Sequence, residues 1–248
     1  MDRNESAPAI VIKSERYKER DRILTLLSPV WGLRRVVVYG AQKSRKAVKA
    51  SLCTEAVFHV YNNKERHQVS LVDLNIISIH ENVLSSLASS FSAALMCEVI
   101  MMQKGEDAPS WYELFSSALD SLSEDNYRKV VTQFLIKAVN IAGLSTDFSF
   151  CPVCGKAYEE KEILGFSADL ASPCCSLCDT MHSVMILPVN ARRYIKDSQE
   201  AGFAEGLSFI ISDNMASRLM RYCIRWYNLA NACSLKSAAA LLELDNLI

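Results

Sequence analysis

Four cysteines carry the most specific chemistry in the chain. Cys151-Pro-Val-Cys154-Gly and Cys175-Ser-Leu-Cys178 are two C-x2-C pairs with twenty residues between them. Two thiolates three positions apart can chelate one ion from a tight turn. A second such knuckle completes a tetrahedral shell with Zn–S bonds of about 2.3 Å. Gly155 suits the reversal that follows the first pair. The spacing predicts a structural Zn2+ site on Cys151, Cys154, Cys175 and Cys178, with reduced buried thiols as the plain alternative. Four thiolates close the shell, so neither water nor substrate finds an open position. Cys174 adjoins Cys175, but its C-x3-C spacing to Cys178 fits a knuckle less well. His182 lies four residues past Cys178 and reads as a bystander. Cys53, Cys97, Cys223 and Cys233 sit in apolar patterns and read as core.

The second constellation is a charge cluster. Between Lys13 and Lys49 stand Lys13, Arg16, Lys18, Arg20, Arg22, Arg34, Arg35, Lys43, Arg45, Lys46 and Lys49, opposed only by Glu15, Glu19 and Asp21. Such a cluster neutralises phosphates without regard to sequence and makes binding salt-dependent. These eleven residues are the candidate DNA-binding set. Tyr17, Trp31, Tyr39, Phe58 and Tyr61 are interleaved with them or follow. Exposed rings on a barrel can stack bases at about 1–3 kcal/mol each; rings turned inward are core.

The elements that must position these groups fall into two kinds. Residues 9–80 read as β: Ile10–Ile12, Ile23–Leu27, Leu33–Tyr39, Ala56–Tyr61 and Val69–Ile79, separated by Ser28-Pro29, Gly32, Gly40 and Asn62-Asn63. Five short strands in about 75 residues fit a small barrel, whose closure removes exposed edges. From about residue 82 the apolar spacing becomes helical. One stripe runs from Leu84 to Val99 and a shorter one from Trp111 to Leu119. A long stripe follows Ser123, read as its N-cap, and ends at Gly143; the last are Met215–Ala230 and Ser237–Leu244. The expected division is a barrel over 1–80 and a helical domain over 81–248, interrupted at about 148–188 by the cysteine-rich segment.

Charge and composition narrow the function classes. Residues 1–80 hold 14 Lys/Arg and 8 Asp/Glu, and the remainder 13 and 20, beneath an overall net charge of −1. A basic front on an acidic body points to a polyanionic partner for the front and leaves the body for protein partners. The polar start lacks the apolar core of a signal peptide, and no run approaches the roughly 18–20 apolar residues of a membrane span. Nine cysteines without a secretory signal suit a reducing compartment, so a cytoplasmic location and no membrane partner are expected. No G-x-x-x-x-G-K-[ST], G-x-G-x-x-G, G-x-S-x-G or H-E-x-x-H motif appears, and no nucleophile–base–orienter set is evident. A non-enzyme is expected.

These pieces together resemble a known family. The stretch from Ala9-Ile-Val-Ile-Lys13 to Ser28-Pro29, then Gly32-Leu-Arg-Arg-Val-Val-Val-Tyr-Gly40-Ala-Gln-Lys-Ser-Arg-Lys46, Gly143-Leu-Ser-Thr-Asp-Phe148-Ser-Phe-Cys151-Pro-Val-Cys154-Gly, and Arg221-Tyr to Lys236-Ser237 resemble, in that order, segments of the RecO family of bacterial recombination mediators. The likeness runs from about residue 8 to about 240. It implies an α+β chain: a five-stranded OB-fold barrel, then an α-helical domain with an inserted four-cysteine zinc ribbon. It implies binding of single- and double-stranded DNA and annealing of strands coated by single-strand-binding protein. It also implies work with RecR to promote RecA loading at gaps, in the bacterial cytoplasm at the nucleoid. Two stretches depart from the family's pattern: Ala50–Ala56 after the basic loop, and Ala238-Ala239 where a basic pair often stands. An RNA- or ribosome-associated OB-fold/zinc-ribbon protein would show the same barrel charge.

Overall fold

The computed structural model describes residues 3–41, 50–103, 107–182 and 184–247. The chain divides into two compact units, Met1–Asp125 and Asn126–Ile248.

The first unit is built on five strands: β1 (Asn4–Tyr17), β2 (Asp21–Ser28), β3 (Gly32–Val38), β4 (Glu55–Asn63) and β5 (Gln68–Ser78). They close into a barrel of order β1-β2-β3-β5-β4. β1 is far longer than the Ile10–Ile12 run announces. Its first half pairs with β4 and its second half with β2, with a register shift between Val11 and Lys13 at the changeover. Pairing with β2 holds polar residues such as Lys13 and Glu15 in the strand, which local propensity does not show. Ala9, Val11, Leu24, Leu26, Val36, Val38, Phe58 and Val60 fill the interior. Ile10, Ile12, Thr25, Leu27 and Val37, between them in sequence, are buried as well. Burial on both faces explains why these strands read as unbroken apolar runs.

Two helices, α1 (Leu87–Met101) and α2 (Ala108–Ser121), lie in the same unit and pack on strands β1, β2 and β3. Ser86 caps α1 by accepting from the Ser89 N–H. Asn82 caps the far end of α2, donating to the carbonyls of Leu119 and Leu122 at 2.7 and 2.8 Å.

The second unit is helical around a small ribbon. Its helices are α3 (Tyr127–Ile141), α4 (Val189–Glu200), α5 (Phe203–Ser208), α6 (Asp213–Ala230) and α7 (Ser237–Leu247), and β6 (Gly165–Ser167) and β7 (Ser172–Cys174) form an antiparallel hairpin. α3 begins behind Asn126 and not behind Ser123; it ends before Gly143, whose φ of +70° suits glycine. α3 packs on α6, with Val130, Phe134, Ile136, Leu219, Met220 and Tyr227 at or near zero exposure. α4 and α5 were not evident in the sequence. α4 buries only Ala191, Tyr194, Ile195 and Ser198, too sparse a stripe to stand out among its charged residues. Among the described residues no helix is long and apolar enough to cross a membrane.

Candidate nucleic-acid interface and metal centre

The described basic residues gather mainly at the β1–β2 end of the barrel. Lys18 and Arg20 lie in the connecting turn, and Arg16 and Arg22 face each other directly across the two strands. Like charges opposite one another on a sheet destabilise it, so this pair is costly until an anion sits between. Further along, Lys13 opposes Thr25, which opposes Arg35 on β3. The Asp21 carboxylate accepts from the Gly40 N–H at 2.9 Å, tying the start of the basic loop to the same turn. Ala41 and Ala50, on either side of that loop, are both buried in the barrel core. Lys43, Arg45, Lys46 and Lys49, between them, lie outside the described residues.

Not every predicted cation is equally available. Arg34 donates to Glu5 at 2.5 Å and lies over the Trp31 ring at 4.7 Å. That hydrogen bond, with one from Asn62, holds the Glu5 carboxyl below the usual range. Lys13 pairs with Glu15 at 2.8 Å and likewise lowers that carboxyl. Arg16, Arg20 and Arg22 are exposed and form no ion pair among the described residues. The rings also divide. Phe58 is fully buried in the barrel, so it cannot stack on a base, because barrel closure turns its position inward. Trp31 is half-buried beneath Arg34, whereas Tyr39 is 52% exposed. Sequence reasoning passed over Arg3, which donates to the Tyr61 hydroxyl at 3.1 Å, and Arg66 in the β4–β5 turn. The signal for Arg66 was its place: the β1–β2 and β4–β5 loops are where OB-folds take oligonucleotides.

The cysteine cluster forms where the spacing placed it. The sulfurs of Cys151, Cys154, Cys175 and Cys178 all lie within 4.8 Å of one another, and Cys154 and Cys175 are 3.7 Å apart. A tetrahedron with 2.3 Å metal–sulfur bonds has an edge of about 3.8 Å, so the set can hold a metal ion. The ambiguity at 174/175 resolves toward Cys175. Cys174 is fully buried beside the cluster; burial first, then the neighbouring Cys151, pushes its thiol up to about 12. His182 is not part of the set. Burial opposes ionisation of Cys151, but the backbone N–H groups of Cys175, Cys154 and Val153 outweigh it and bring the thiol down to about 6. Cys178 moves the other way, to about 12, through its hydrogen bond with Cys175 and then burial. One favoured thiolate among sulfurs that resist ionising together is what a divalent cation relieves.

The second unit also carries a groove of about 840 Å3 between segment 184–188 and α6. Met185, Leu219 and Ile224 give it apolar surface, and Arg218, Arg221 and Arg225 are its charged lining. This face departs from the acidic body expected from the sequence.

Known families match both units. Residues 1–80 match the family described as Recombination protein O N terminal, and residues 84–238 match Recombination protein O C terminal. The chain belongs to the RecO family. Among its relatives, the DNA repair protein RecO of Desulfitobacterium hafniense (strain DSM 10664 / DCB-2) is 29% identical over 184 residues, 71% of this chain and 65% of that protein. The RecO proteins of Desulforamulus reducens and Syntrophotalea carbinolica are each 28% identical, over 72% and 74% of this chain and 70% and 73% of theirs. The match to the first thus spans slightly less than two thirds of its length. Membership in the RecO family makes the barrel an OB-fold and accounts for the order of its parts: barrel, helices and four-cysteine ribbon.

Proposed function

We propose that this chain is a non-enzymatic DNA repair and recombination mediator of the bacterial cytoplasm, acting at the nucleoid. In this reading it binds single- and double-stranded DNA through the basic end of its barrel. It anneals complementary strands coated by single-strand-binding protein and, with RecR, promotes RecA loading at gaps. The observation that carries the reading is the Arg16/Arg22 pair, without an ion-pair partner among the described residues, beside the root of the basic loop on an OB barrel of a RecO-family chain. Two strands repel through their phosphates. A surface that neutralises part of that charge lowers the repulsion and lets base pairing proceed. Arg16, Lys18, Arg20, Arg22 and Arg35, with Lys43, Arg45, Lys46 and Lys49, would hold the backbones; Lys13 and Arg34 would contribute less because carboxylates already engage them. The exposed Tyr39 ring would stack a base.

The four cysteines would hold Zn2+ in a structural role. The local core of the ribbon's knuckle end consists of Cys151, Cys174 and Cys175 with Tyr158 and Cys178 against them, too small to persist without a staple.

The deciding experiment is annealing of complementary oligonucleotides, bare and coated with single-strand-binding protein, at several salt concentrations. Acceleration on coated strands that fades as salt rises is expected. Reversing the charges of Lys43, Arg45 and Lys46 should cut affinity and flatten the salt slope. Tight binding without acceleration would refute the mediator reading. RNA outcompeting DNA would replace it with an RNA-associated one, since phosphate contacts alone do not identify the sugar.

A further inference from the structure

The four ligand residues are unequally buried. Cys151 and Cys175 are each 1% exposed and Cys178 is partly covered, whereas Cys154 is exposed. Across the knuckles the Cys154 sulfur lies 3.7 Å from that of Cys175. The knuckle end draws its core from these same cysteines. The β6–β7 hairpin is anchored differently. Phe166 is buried edge-on against Tyr222 of α6, with ring centres 6.2 Å apart, and Trp226 donates its indole N–H to the Ala171 carbonyl at 3.0 Å.

We propose that Cys154 is an oxidation site, and that a peroxide joins it to Cys175 in a disulfide that expels the metal. This rests on the zinc reading above. The Cys154 sulfur attacks one peroxide oxygen; an S–O bond forms, the O–O bond breaks and hydroxide leaves. The Cys175 sulfur then attacks the Cys154 sulfur, the S–S bond forms and a second hydroxide leaves. Two thiolates are oxidised by two electrons and one hydrogen peroxide is reduced. The ion keeps two of four ligands and dissociates. The knuckle end then loses its order while the hairpin stays docked on α6, because Phe166 and Trp226 do not depend on the metal. Reactivity of this kind follows thiolate character and exposure, and Cys154 is the exposed ligand.

The test uses the full chain loaded with zinc and limiting hydrogen peroxide. Released zinc is read with a colorimetric chelator, disulfides by peptide mapping after alkylation, and local order by amide exchange. Zinc release should track a Cys154–Cys175 disulfide, with faster exchange at 151–160 and unchanged exchange at 165–172. Cys154→His keeps a zinc-ligand type but removes the thiol, so release should be about tenfold slower. Stoichiometric zinc with a Cys151–Cys154 or Cys174-containing disulfide would overturn the proposal alone, as would unchanged release from a zinc-loaded C154H protein. Should C154H take up no zinc, the mapping on the parent chain decides by itself. Absence of zinc from the protein before peroxide would overturn the metal reading and this proposal with it.

Discussion

Removing the opposed arginines Arg16 and Arg22 should weaken DNA binding without weakening the fold. The two sit directly across β1 and β2, are exposed, and have no ion-pair partner among the described residues. Each phosphate left without its arginine should lower the slope of log affinity against log salt by about 0.7 on single strands, so Arg16→Ala/Arg22→Ala should lower it by about 1.4. Between 50 and 200 mM salt, the share of the salt effect owed to this pair is then about sevenfold. The affinity gap between parent and variant should be widest at low salt and should narrow by that factor across the range. Stability should move the other way. Relief of a like-charged cross-strand pair leaves the melting temperature unchanged or slightly raised at low salt. Anisotropy of a labelled single strand at four salt concentrations, with thermal melts of both proteins in the same buffers, measures both quantities. A parallel loss of affinity at every salt concentration, or a lowered melting temperature, would refute the reasoning: the first would mean that the arginines do not meet phosphates, the second that they hold the barrel together.

The remaining predictions concern the second unit. The Asp245 carboxylate is buried and accepts from the Tyr127 hydroxyl at 3.0 Å, Arg128 at 2.6 Å and Ser217 at 2.7 Å, and from Arg221, so Asp245→Asn should cost about 2–3 kcal/mol in urea unfolding. Burial opposes ionisation of Asp245, but Ser217, Arg128 and Tyr127 together hold its carboxyl below the usual range. Its stabilisation is therefore complete above the ordinary aspartate value near pH 4 and fades as pH falls through the lower native value, so the parent should lose stability more steeply than D245N as pH falls below about 4. Gly206→Ala should destabilise by about 1–3 kcal/mol, since its Cβ would meet the buried Gln133 side chain at 2.3 Å and Gln133 is held by Tyr194 and Ser198; a melting temperature equal to the parent's would contradict that packing. Chelation of the metal should speed amide exchange in the knuckle end while barrel amides keep their protection, and exchange mapped by peptide would show it.

The sequence by itself determined the metal ligand set, the barrel's five-strand count and the basic sign of its surface. Each of these is written locally. Knuckle spacing, runs of β-branched residues and clustered lysines and arginines act over a few residues, so short-range chemistry identifies them. Tertiary structure alone decided which members of those sets are available. Glu5, 29 residues from Arg34, neutralises it. Phe58 reads like the other rings but is turned inward by barrel closure. β1 extends to fourteen residues because it finds two different partners along its length. Helix α4 forms on a sparse apolar stripe because the packed unit supplies what its own sequence lacks. In each case the deciding interaction joins residues distant in the chain, and its strength depends on through-space distance and burial, which residue order does not record.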